Sequence, residues 1–178
     1  VLDIGVCGTE CIYFGTSHLD ADGGIMVTAS HNPMNYNGMK FVGRGSVPLS
    51  GDTGLPEIER MILEDDLGDK PGGGTVERVD IADAYIDHLM TYVDLEQLKP
   101  IKVVSDPGNG CAGPWVEMLE KRLPFQFIKM LHEPDGNFPN GIPNPLLPDN
   151  REATADAVRR HGADLGLAWD GDFDRCFF

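Results

Sequence analysis

Asp170-Gly171-Asp172-Phe173-Asp174-Arg175 places three carboxylates at alternate positions. In extended backbone their side chains point the same way, about 6.6 Å apart by the strand rise. Two unit charges at that separation repel by about 2.5 kcal/mol at an effective dielectric of 20. Such a segment is either a solvated acidic turn or a loop curled around a hard cation. Gly171 gives the backbone freedom to curl, and oxygen-only donors favour Mg2+ or Ca2+ over zinc. An EF-hand loop opens on the same D-x-D-x-D spacing, but Arg175 stands where that loop requires glycine. Arg175 suits an ion pair with these acids, and equally a fork for a phosphate oxygen.

A second cluster is Thr28-Ala29-Ser30-His31-Asn32-Pro33, which leads through Met34-Asn35-Tyr36-Asn37-Gly38 into Met39-Lys40. A hydroxyl at a strand end, with His31 beside it and Lys40 on the return, supplies parts for a nucleophile site. The same residues are also ordinary turn chemistry. Neighbours in sequence cannot by themselves form a Ser-His-Asp relay. His18, His88, His132 and His161 show no ligand spacing and read as surface or structural residues.

These loops need elements to hold them. Val1 to Gly5 reads as a strand met in mid-chain, with neither a starting Met nor the basic stretch of a signal peptide. Residues 25–28 read as a short buried strand and 38–42 as another. Residues 55–66 make an amphipathic helix with Pro56 in its first turn. The sequence Gly68-Asp69-Lys70-Pro71-Gly72-Gly73-Gly74 ends both patterns. Beyond it, Asp80 caps a helix reaching about Tyr92. A β-branched strand over 101–105 then runs into the turn Asp106-Pro107-Gly108-Asn109-Gly110. Helices over 115–122 and 149–160, the latter stopped by Gly162, alternate with strands over 125–131 and 164–169. The segment 133–148 holds five prolines and two glycines and can keep no regular ladder, so it reads as a long ordered loop. The pattern predicts an α/β fold: two similar α/β units with mixed, largely parallel sheets flanked by helices. Residues 1–78 form one unit and 79–178 the other.

Composition sets further bounds. A formal net charge of −15 argues against nucleic acid or an anionic membrane as a partner. No apolar run approaches the roughly 20 residues needed to cross a bilayer. Cys7, Cys11, Cys111 and Cys176 form no CxxC pair, and they read as free buried thiols of a reducing cytoplasm. Cys7 and Cys11, four apart, can share a helix face.

Taken together, T-A-S-H-N-P-x-x-Y-N-G-x-K followed by D-G-D-x-D-R closely resembles the α-D-phosphohexomutase superfamily. The wording around Ser30, with Asn140-Gly141-Ile142-Pro143-Asn144-Pro145-Leu146-Leu147-Pro148, is similar to its bacterial phosphomannomutase branch. The resemblance covers the whole chain, as the later part of a first domain and most of a second. It implies that Ser30 is the phosphorylated serine and that Asp170, Asp172 and Asp174, with the Ser30 phosphate, hold one Mg2+. It implies that His31 and Lys40 flank the transfer site, with Lys40 a candidate general acid/base, and that Arg175 contacts phosphoserine or substrate. The expected reaction interconverts mannose 6-phosphate and mannose 1-phosphate through a hexose 1,6-bisphosphate. Phosphoglucomutase and phosphoglucosamine mutase are the sister alternatives, and a non-catalytic divalent-cation module is the alternative of another class. The superfamily commonly has glycine where this chain has Phe173, which leaves the ligands intact and makes the loop less free. Its third and fourth domains, which choose the sugar and bind the distal phosphate, have no counterpart here. The 178 residues alone are therefore expected to lack mutase activity and to depend on those missing domains.

Overall fold

A computed structural model describes residues 1–68 and 72–178, so residues 69–71 of the expected break lie outside the described residues. The chain opens with β1 (Leu2–Asp3) and α1 (Thr9–His18). Next come β2 (Gly23–Val27), β3 (Met39–Gly43) and, past a short 3-10 turn, β4 (Val47–Pro48). α2 (Leu55–Leu63) starts with Pro56 in its first turn, where a missing N–H costs nothing, and β5 (Glu77–Arg78) follows. The chain continues through α3 (Ala82–Met90), β6 (Lys102–Asp106), α4 (Ala112–Glu120) and β7 (Gln126–Lys129). After the proline-rich loop come a 3-10 turn, α5 (Glu152–His161), β8 (Leu165–Trp169) and β9 (Cys176–Phe177).

The fold is α/β with mixed sheets, as the alternation of strand and helix patterns predicts. β7, β6 and β8 are parallel, and β9 adds an antiparallel edge. β6 lies between two neighbours, and its Val103, Val104 and Ser105 are almost fully buried for that reason. β1 and β5 pair in parallel, while β2, β3 and β4 form an antiparallel sheet. Asp80 caps the approach to α3 by accepting the Ala82 N–H at 2.9 Å. Gly162 ends α5 in the left-handed conformation expected of a stop.

The segment over 25–28 is not the buried strand that its apolar run suggests. Met26 is buried, but Ile25 and Val27 are more than half exposed. β2 therefore alternates, with one face inward and one outward. α1 is a further difference, since only the Cys7–Cys11 spacing pointed to it. Cys7, Cys11, Met26, Ile81 and Tyr85 form the apolar cluster at its base, joined at the edge by Trp115 and Phe173. This cluster draws side chains from β2, α1, α3 and α4, and it ties the serine hairpin to the helices around the β6–β8 sheet.

Candidate functional site: a serine set against an acidic hairpin

The acidic loop is the hairpin between β8 and β9. Trp169 pairs with Cys176, and the Asp170 N–H reaches the Arg175 carbonyl at 3.2 Å. It lies beyond the carboxyl end of a parallel strand, where α/β sheets present ligand sites. The serine loop is the tip of the hairpin between β2 and β3, closed by Thr28 N–H to the Gly38 carbonyl at 3.0 Å. The tips meet at Gly171, where a Cβ would overlap the Ser30 carbonyl oxygen. Only glycine permits that approach.

Ser30 adopts a positive φ of 56°, a costly conformation for a residue with a side chain. Its N–H is held by Thr28 Oγ1 at 2.8 Å. Its hydroxyl donates to Asp170 Oδ2 at 2.8 Å and accepts from the Arg175 guanidinium at 2.5 Å. His31 Nδ1 lies 3.2 Å from the same oxygen and also meets Arg175, which pairs in turn with Asp170. Ser30 opens onto a cleft of about 400 Å3 shared with Asn32, Asn109, Gly171 and Asp172.

On the other side of the hairpin, Asp172 Oδ2 accepts Lys40 Nζ at 2.9 Å and the hydroxyls of Thr9 and Thr28 at 3.0 Å each. Lys40 also reaches Asp174 at 2.7 Å and Thr9 Oγ1 at 2.8 Å. It reaches inward because Lys40 on β3 pairs with the buried Met26 on β2 and so shares its face. Burial opposes ionisation of Asp172, yet Lys40 and the two hydroxyls hold its carboxyl below the usual range. Burial lifts Asp170 above that range, with Asp172 adding to the shift. Burial alone would lower Lys40, but its bonds to Asp174 and Asp172 raise it and keep it a cation.

The three carboxylates each offer an oxygen within 4.8 Å of the others. Asp172 Oδ1 is buried and has no partner among the described residues, although Oδ2 beside it has three. An oxygen of this kind is costly unless something outside the chain satisfies it. The donor set and this orphaned atom fit a hard divalent cation.

The structure brings Ser30, His31, Lys40, Asp170, Asp172, Asp174 and Arg175 into one network. Lys40 bonds the carboxylates and not Ser30. Thr9 and Thr28 were not singled out from sequence. Thr28 lies inside the serine motif, whereas Thr9 carries no signal until α1 is known. His132 is structural: Ser105 Oγ is 2.8 Å from its Nε2 and Glu117 lies at 3.4 Å. Those three residue types suggest a hydrolytic triad, but Ser105 has no exposure and no substrate can reach it. All four cysteines are free, with Cys7 and Cys11 buried, Cys111 partly so and Cys176 exposed, against the expectation of four buried thiols.

Comparison with known proteins shows the family. Residues 83–178 match phosphoglucomutase/phosphomannomutase, alpha/beta/alpha domain II, and residues 1–69 match alpha/beta/alpha domain I of the same family. The chain belongs to the phosphoglucomutase/phosphomannomutase family. It is 59% identical to a protein named phosphohexose mutases from Xanthomonas campestris pv. campestris, over 100% of this chain and 40% of that protein. It is 57% identical to a phosphomannomutase of Escherichia coli, over 99% of this chain and 41% of that one. A phosphoglucomutase/phosphomannomutase family protein of Burkholderia thailandensis superposes with a TM-score of 0.86 at 35% identity, covering 99% of this chain and 39% of that structure. The chain thus spans about 40% of the length of the curated relatives it matches. Among the described residues no helix is long and apolar enough to cross a membrane.

Proposed function

We propose that this chain carries the phosphoryl-accepting serine and the cation site of a phosphohexomutase of the phosphomannomutase kind. The observation that carries the reading is that Ser30 Oγ bonds both Asp170 Oδ2 and the Arg175 guanidinium, in the same acidic hairpin that holds the unpartnered Oδ1 of Asp172. Residues 1–78 supply Ser30, His31 and Lys40; residues 79–178 supply the carboxylates and Arg175.

In the proposed reaction Ser30 Oγ forms a bond to phosphorus as the bond from phosphorus to a sugar oxygen breaks. The hydroxyl proton has two acceptors in reach, Asp170 Oδ2 at 2.8 Å and His31 Nδ1 at 3.2 Å. The departing sugar oxygen takes up the proton that Ser30 releases, so no net proton is gained or lost, and the reverse step returns phosphate to the other sugar hydroxyl. Arg175 is placed to hold an equatorial phosphate oxygen through its fork. Lys40 is placed to balance the acids, and it serves as a general acid/base only once it leaves Asp172 and Asp174. Asp170, Asp172 and Asp174 would hold Mg2+, which supplies neutralisation of phosphate charge, the main requirement of phosphoryl transfer. A phosphoserine brings a charge of about −1.5 to −2, so three carboxylates and a phosphate exceed one Mg2+, and both cationic side chains are needed nearby. The substrate is a phosphosugar, and mannose phosphate is favoured by the relatives' names. The compartment consistent with free thiols and an acidic surface is the cytoplasm.

The test uses a protein of the relatives' full length that contains these residues, incubated with Mg2+ and a hexose 1,6-bisphosphate. Peptide mapping should find a phosphoryl group on Ser30, and Ser30→Ala should lower turnover by several orders of magnitude. Turnover unchanged in Ser30→Ala would remove the assignment.

A further inference from the structure

Phe173 breaks a local rule. It sits between two of the acids, in the left-handed region with a φ of 48°, where a bulky side chain is strained. Its ring lodges against Gly8, just ahead of α1, and packs on the cluster of Cys7, Cys11, Met26, Ile81 and Tyr85. The Trp115 ring lies 6.4 Å away, centroid to centroid. Gly8 itself has φ −92° and ψ 174°, extended backbone open to any residue. Its glycine is therefore not a backbone requirement. A Cβ at Gly8 would overlap the far edge of the Phe173 ring. The ring has no easy retreat, because the cluster flanks it and the loop is bonded to Thr9 of α1 through both the backbone and the side chain of Asp172. The Thr9 N–H reaches the Asp172 carbonyl at 3.0 Å, and Thr9 Oγ1 reaches Asp172 Oδ2 at 3.0 Å.

We infer that Phe173 is a positioning residue, whose ring over Gly8 latches the acidic hairpin onto the start of α1 and thereby sets Asp172 for cation binding. The inference rests on the cation reading of the three aspartates. It assigns a function to each oddity in the loop. The strain at Phe173 is the cost of aiming a ring across from one unit into the other, and Gly8 is the socket that receives it. Glycine tolerates the left-handed region freely, so a loop with no use for the ring would be indifferent to Phe173→Gly or improved by it. The latch predicts the opposite sign. Residues that orient metal ligands typically change affinity by about 10- to 100-fold when altered.

Mn2+ titrated into the chain by calorimetry, with EDTA-treated protein, reads the effect without any enzymatic turnover. Phe173→Gly is expected to weaken Mn2+ binding about tenfold or more. Gly8→Ala should weaken it comparably by wedging the ring outward. The double variant should be no worse than Phe173→Gly alone, because the new methyl group then meets empty space. Mn2+ affinity unchanged in Phe173→Gly, or losses that simply multiply in the double variant, would overturn the latch. If Phe173→Gly does not fold, Gly8→Ala combined with Phe173→Leu decides the same point. Leucine lacks the ring's far edge, so that pair must bind Mn2+ more tightly than Gly8→Ala alone, and no recovery refutes the inference. An unsubstituted chain that takes up no Mn2+ at all would refute the cation reading and the latch together, whereas insensitive variants of a binding chain refute only the latch.

Discussion

At the scale of single residues, the site concentrates negative charge and then answers it unequally. Asp172 is 2% exposed and shares one oxygen among three donors, while Asp174 is 30% exposed. Asp172→Asn removes the carboxylate oxygen that Lys40 and two hydroxyls share, leaving Lys40 on Asp174, and should cost about 1–3 kcal/mol in metal-free protein. Asp174→Asn, at the wet edge, should cost under about 1 kcal/mol. Equilibrium unfolding in EDTA checks the ordering. Glu10, in the first turn of α1, is a separate case: one carboxylate oxygen is buried without a partner, and burial, with Asp174 and Asp172 nearby, pushes its pKa up to about 7. A raised carboxyl means that the folded state holds the proton more tightly. Its favourable contribution is complete below about pH 4.5 and is lost as pH rises through about 7, on the order of 3 kcal/mol in all. Glu10→Gln should leave stability at pH 4.5 nearly unchanged and raise it at pH 8, and equal effects at both would contradict the burial argument. Asp172 works in the other direction, since its lowered carboxyl contributes above the ordinary aspartate range and is lost as acid protonates it.

At the scale of elements, two hairpins from different sheets meet tip to tip, and Gly171 is where they touch. Gly171→Ala drives a methyl group into the Ser30 carbonyl, a backbone atom that cannot rotate away. The serine loop must shift, and the bond from Ser30 to Asp170 goes with it. Phosphoryl uptake by Ser30 in the full-length protein should fall at least about 100-fold, while unfolding stability changes by no more than an ordinary strained contact, about 1–3 kcal/mol. Uptake within a few-fold of the unsubstituted protein would show that the approach of the tips is not needed. Both loops were legible in the sequence because their chemistry is local: serine, histidine and lysine at one turn, alternate acids at another. α1 was not, because the face it buries is Thr9, Cys11, Gly15 and Thr16 rather than a stripe of large apolar residues. Its importance lies in Thr9, which no periodicity marks. The two-residue strands β5 and β9 carry no pattern at all, and only pairing defines them. The apolar run at 25–27 misled for a related reason, since alternation is invisible when both faces of a strand are apolar.

At the scale of the whole molecule, a chain of net charge −15 and isoelectric point near 4.5 attracts cations and repels the phosphosugars proposed for it. The local balance differs from the global one. Lys40 and Arg175 sit among the three aspartates, so the repulsion that an incoming anion meets comes mostly from the surrounding surface. Surface charges act through water and are screened by salt, whereas the contacts at the site are partly buried and screened far less. The Debye length shrinks from about 30 Å at 0.01 M to about 8 Å at 0.15 M. Raising monovalent salt across that range should therefore weaken Mn2+ binding several-fold while strengthening the association of inorganic phosphate, opposite slopes from one field. Asp174→Asn should lower the intrinsic Mn2+ affinity yet leave its salt slope nearly unchanged, because one charge among so many barely alters the long-range potential. Parallel calorimetric titrations at the two salt concentrations, with Mn2+ and separately with inorganic phosphate, measure both slopes. Slopes of the same sign would mean that local contacts rather than the global field govern encounter, and the acidity of the surface would then have no part in selecting the ligand.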